Sequence, residues 1–74
     1  MNQTTNQYAI GSHVESDSAY GEWIVTEHNH WVHEDEGDMV TIMGRRWIKS
    51  RNEYAKNAGR ITSMSKAYYD KHVA

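Results

Sequence analysis

Cysteine, proline, leucine and phenylalanine are all absent from this 74-residue chain. A chain of this length buries only about 60% of the surface that its unfolded form exposes, and without cysteine it has no disulfide to compensate. The core must therefore be small. Five isoleucines and five valines are its only branched aliphatic residues, a share low enough to make disorder a serious competitor to folding. No apolar run is long: Trp23-Ile24-Val25 and Val40-Thr41-Ile42-Met43 are the longest, far short of the about 20 residues of a membrane-spanning helix. Residues 1–7 are polar and uncharged, without the basic segment and apolar stretch of a signal peptide. No membrane partner and a cytoplasmic location are expected on these grounds.

Aromatic residues argue for folding. Three tryptophans and five tyrosines can each bury about 150–250 Å², and a net charge of only −2 leaves little self-repulsion to hold the chain open. We expect one small domain over residues 8–74, preceded by a disordered Asn/Gln/Thr-rich arm at 1–7. A fold this marginal gains from a partner or from self-association.

Charge is distributed unevenly. Residues 1–44 hold eight acids (Glu15, Asp17, Glu22, Glu27, Glu34, Asp35, Glu36, Asp38) and no lysine or arginine. Residues 45–74 hold all eight bases (Arg45, Arg46, Lys49, Arg51, Lys56, Arg60, Lys66, Lys71) against Glu53 and Asp70. The halves carry −8 and +6, which sum to the net −2. Such halves either face one another within the fold or point toward two kinds of partner.

Period-two alternation begins at Tyr8, with Tyr8, Ile10, Ser12 and Val14 on one side, and predicts a first strand. Residues 15–21 form a turn cluster. Residues 22–32, rich in Trp, Ile, Val and Thr, predict a longer strand whose apolar residues fall on both parities, a conflict that a one-residue slip or a bulge would resolve. Residues 33–38 predict a loop and 39–43 a third strand with Val40 and Ile42 on one face. Gly44 reads as a breaker, and Trp47-Ile48 as a short fourth strand. Ser50-Arg51-Asn52-Glu53 is a capping box that predicts a helix start. Tyr54, Ala58, Ile61, Ser65, Tyr68 and His72 continue it as one amphipathic stripe, which Gly59 bends or divides in two. The fold class that follows is α+β: a three- to four-stranded antiparallel sheet, with a partial SH3-like barrel as one form of it, followed by one or two C-terminal helices.

Three constellations carry chemistry. The acidic stretch Glu27, Glu34, Asp35, Glu36 and Asp38, with Trp31 beside it, has the composition of a surface that occupies a basic groove on another protein. Arg45, Arg46, Trp47, Lys49 and Arg51 interleave bases with an aromatic, as nucleic-acid binding requires, against the plainer reading of a core tryptophan with bases around it. His28, His30 and His33 beside carboxylates offer zinc-type ligands or a response to pH, although His33 falls on the strand face opposite His28 and His30 unless the chain turns before it. Residues 54–59 also resemble the first helix and turn of a helix-turn-helix, but Ser65 stands where that motif wants a branched apolar residue. No nucleophile elbow or phosphate-cradling loop is present, so an enzyme is not expected and no cofactor is implied. The expected function is a small non-enzymatic regulatory or inhibitory protein that binds a larger one, of the transcription or nucleic-acid-processing machinery. In type it resembles the small modulators of phages and mobile elements. The alternatives are direct DNA or RNA binding through the basic half, and a metal- or pH-responsive module.

Overall fold

The computed structural model describes residues 8–15 and 21–73. The expected arm at 1–7 and the part of the turn cluster at 16–20 lie outside the described residues. The elements are β1 (His13–Glu15), β2 (Glu22–His33), β3 (Gly37–Ile48), β4 (Glu53–Tyr54), β5 (Gly59–Ser65) and α1 (Lys66–His72). They make the expected α+β fold, with one short helix after an antiparallel sheet that curls into a half-barrel. Among the described residues no helix is long and apolar enough to cross a membrane.

β3 is the spine of the sheet. Its first edge pairs with β2 from Gly37 to Arg46, β5 pairs with β3 from Met39 to Gly44, and β4 pairs with it at Trp47 and Ile48. β1 adds to the far side of β2 over only three residues, Glu22 to Ile24. The β2–β3 turn at residues 34–36 closes on Gly37, whose φ of 82° is the left-handed conformation that a three-residue hairpin loop needs at its end. The His33 ring fixes that turn: its Nδ1 accepts the amides of Asp35 at 3.0 Å and Glu36 at 3.1 Å.

The register of β2 shifts between Val25 and Glu27. Thr26 is the extra residue, and it moves the following residues by one parity, as the apolar residues on both parities of β2 require. One face of the sheet, the inner face, therefore carries Trp23, Val25, His28, His30 and Val32 from β2 with Asp38, Val40, Ile42 and Gly44 from β3. The other, outer face carries Ile24, Glu27, Asn29, Trp31 and His33 with Met39, Thr41, Met43 and Arg45. A second shift, between Ile42 and Met43, makes Ile61 the extra residue of β5. The core is small: Val14, Val25, Val40, Ile42 and Ile61 are buried on the inner face, with Tyr8, Trp23, Met64 and Tyr69 packed against them.

Four expectations need correction. Residues 8–12 are not the body of a strand: the Ser12 amide bonds the Ala9 carbonyl at 2.9 Å, so the chain turns there and only His13–Glu15 is extended. Gly44 breaks nothing, because it is a buried mid-strand position of β3. Trp47-Ile48 is accordingly the end of β3 and not a separate strand. The capping box at Ser50 starts no helix. Residues 49–52 make the β3–β4 turn, with Asn52 at φ 53°, and the stretch that resembles a helix-turn-helix is β4, a loop and β5. The winning term is tertiary: residues 59–65 extend along β3, satisfying its second edge and burying Ile61.

The helix cap is instead Ser65, whose Oγ accepts the Tyr68 amide at 3.1 Å. Replacing Ser65 with alanine is therefore expected to lower the unfolding free energy by about 1 kcal/mol. Ser50→Ala should stay within about 0.5 kcal/mol of the parent chain. Urea midpoints of the two variants measured side by side decide the assignment.

Candidate functional site

The sheet separates charge only in part: the acidic turn stands at one end, but Glu15 and Glu22 share the far end with Arg45 and Arg46, and Lys66 lies beside Asp38. β3 has twelve residues, and at about 3.3 Å per residue its ends lie about 36 Å apart, close to the 39 Å long dimension of the molecule. Glu34, Asp35 and Glu36 form the exposed tip at one end, and Asp38 is exposed opposite Val32 on the inner face. Glu27 does not join them. It is exposed on the outer face, about 23 Å down β2 from Glu34 at the usual strand rise.

Two apolar side chains flank the acidic tip. Trp31 is 41% exposed and Val32 is 72% exposed, although they are neighbours on opposite faces of β2. The Trp31 ring is held in place: its Nε1–H donates to Thr41 Oγ1 at 2.8 Å, and Thr41 shares a hydrogen bond with Ser63 at 2.9 Å, so the contact runs across three strands. A groove of about 240 Å³ lies beside it, lined by His30, Trp31, Val32, Asp38, Met39 and Lys66. Asp70 accepts a hydrogen bond from the Lys66 ammonium at 2.8 Å and holds it above the ordinary lysine range, with the charge of Asp38 adding to the effect.

The basic constellation is divided. Arg45 lies on the outer face, where its Nε–H donates to the Ala55 carbonyl at 2.6 Å, whereas Arg46 is exposed on the inner face opposite Trp23. Trp47 is half-buried and packs edge-on against Tyr54, with ring centroids 4.9 Å apart. Arg51 is paired with Glu53 at 3.0 Å in the turn that also exposes Lys49. Glu15 and Glu22 sit at the same end of the sheet. No single face therefore presents Arg45, Arg46, Trp47, Lys49 and Arg51 together.

The histidines separate in the way their spacing implies. His28 and His30 share the inner face and both pack edge-on against Tyr69, at 5.4 Å in each case. His28 is fully engaged: its Nε2–H donates to the Tyr8 carbonyl at 2.6 Å, and its Nδ1 shares a hydrogen bond with the Tyr69 hydroxyl at 2.8 Å. His33 faces outward against Trp31 and caps the turn. Among the described residues no group of three His, Cys, Asp or Glu side chains is placed to hold a metal ion, so the three histidines do not form the ligand set that their sequence offered.

Sequence pattern alone does not show two features: the exposure of Val32 and, among the described residues, the open edge of β2 beyond Val25. The absence of lysine, arginine and proline from residues 22–33 was the available signal for the second, since those residues commonly guard an edge. The chain matches no protein-family model, no curated protein and no solved structure.

Proposed function

We propose that this chain is a small non-enzymatic regulatory protein that acts by binding a larger protein through the acidic end of the β2–β3 hairpin. The carrying observation is the placement of exposed Trp31 and Val32 beside Glu34, Asp35, Glu36 and Asp38. A few anchors, tryptophan prominent among them, supply most of an interface's affinity, while surrounding charge steers the encounter. A surface of this sign fits a basic groove, the kind that nucleic-acid-processing proteins use for phosphate.

Neutralising the tip with Glu34→Gln, Asp35→Asn, Glu36→Gln and Asp38→Asn tests this reading. Partner capture from nuclease-treated lysate, followed by kinetics on the captured protein, should show the association rate falling about tenfold or more at low salt, with a smaller change at high salt. Loss of capture on nuclease treatment would favour the alternative, direct nucleic-acid binding by the basic end. That alternative gains one point from the geometry: the acidic tip lies more than four screening lengths of about 8 Å away and does not repel phosphate there. A duplex-DNA titration with a salt slope of several units, lost with Arg45→Ala and Arg46→Ala, would make it the primary function.

A further inference from the structure

The backbone of β1 and of the segment before it pairs with β2 only as far as Val25, whose N–H and C=O bond Ser12 and Gly11 at 2.9 and 2.8 Å; beyond it the segment touches β2 through the Tyr8 carbonyl on the His28 ring. Among the described residues, nothing pairs with the outer edge of β2 from Thr26 to His33. Past the Thr26 bulge, the alternation of an antiparallel ladder turns the backbone groups of Glu27, Asn29, Trp31 and His33 toward β3. It turns those of His28, His30 and Val32 to the open edge. No lysine, arginine or proline guards residues 26–33, and an edge left in that state is a template for another strand.

We propose that the strand that completes this edge is β2 of a second copy, antiparallel about a two-fold axis at His30. That register uses every open backbone group: His30 exchanges two hydrogen bonds with its own copy, and each His28 exchanges two with the partner's Val32, for six in all. Side chains agree with it. Glu27 lies opposite the partner's His33, so the one acid of the edge meets an imidazole that still has Nε2 free of the turn it caps. Trp31 lies opposite the partner's Asn29 and diagonal to the partner's Trp31, within aromatic reach on the outer face.

Charge selects the orientation and the occupant. Antiparallel pairing sets the two acidic tips about 33 Å apart, ten residues at the strand rise, whereas parallel pairing would stack them at about 5 Å. A strongly basic strand would find only Glu27 along the whole ladder, so a near-neutral and self-complementary edge fits another copy better. Eight residues of edge make an interface below the about 1,200 Å² of a standard complex, which is the size class of weak and transient associations.

The chain has no cysteine, which makes cross-linking a clean test. His30→Cys places the new thiol opposite its own copy, at the Cα separation of about 5.5 Å of a hydrogen-bonded pair, which a disulfide can span. Glu27→Cys places it about 20 Å from its counterpart. Under mild oxidation His30→Cys should form covalent dimer at least about tenfold faster than Glu27→Cys. Sedimentation of the unaltered chain should show a concentration-dependent mass, and Val32→Lys should weaken the association at least about tenfold with an unchanged circular dichroism spectrum. Equal cross-linking rates for the two cysteine variants, or a monomeric mass for the unaltered chain up to about 1 mM, would overturn the proposal and leave the edge to a different partner.

Discussion

Replacing Gly44 with alanine should abolish or nearly abolish the cooperative urea transition. A Cβ built at this position overlaps the Ile24 carbonyl oxygen and lies 2.7 Å from Ile61 Cδ1. The isoleucine end can rotate, but the carbonyl belongs to the neighbouring strand, and moving it disturbs the β2–β3 ladder where β2 prepares to bulge. Overpacking of this kind costs about 1–3 kcal/mol when side chains can adjust and more when backbone must. A chain of 74 residues has about 4–11 kcal/mol of stability in total on the usual per-residue scale. The control is Gly59, which faces Gly44 across β3 and β5. A Cβ there meets only the Trp23 ring at 3.4 and 3.5 Å, an ordinary contact, so Gly59→Ala should leave the midpoint unchanged or raise it by up to about 1 kcal/mol through the unfolded chain's lost freedom. Two glycines paired with each other thus give opposite outcomes, and equal effects would contradict the packing described.

Ile42→Ala should be the costliest truncation. Ile42 is fully buried at the centre of β3, between His28 of β2 and Thr62 of β5. Removing three carbons from such a position costs about 2–5 kcal/mol, whereas Ile42→Val costs about 0.5–1.5 kcal/mol. Because the inner-face cluster has only five buried members, there is little neighbouring bulk to collapse into the space, which places the loss in the upper half of that range. Thermal or urea unfolding of the pair of variants measures it, and a loss under about 1 kcal/mol for the alanine variant would mean that the core lies elsewhere.

Local patterns in the chain were legible where a residue's neighbours decide its conformation. The alternation around Val40 and Ile42, the conflict in β2 that Thr26 resolves by bulging, the turn before Gly37 and the opposite faces of His30 and His33 all follow from period and turn chemistry. The pattern misleads at residues 8–12, where a local turn replaces the expected strand, and again from Gly44 onward, where distant pairing decides. Ser50 and Glu53 at capping-box spacing are a true local preference, but the partner that overrides it is β3 itself, up to 26 residues away at Met39 and Ser65. Likewise Arg45 and Arg46 are adjacent in sequence and read as one patch, but strand alternation sends them to opposite faces. The acidic tip was readable as a loop, whereas the exposure of Val32 was not, because an open edge is defined by pairing and not by composition.

Pairing β3 on both sides also governs the order in which the molecule can assemble. The β2–β3 hairpin has a three-residue turn and needs no other element to form its ladder, on the microsecond scale typical of hairpins. β5 can add only to a β3 that is already extended, and α1 only to the face that β5 completes. We therefore expect the nucleus to lie in the hairpin, so that substitutions at Val25 and Val40 slow folding while those at Met64 and Tyr69 chiefly speed unfolding. A nascent chain that has emerged only as far as Ile48 is the β2–β3 hairpin with β1 along three residues of β2, of marginal stability, and the second edge of β3 stays open until the last third of the sequence arrives.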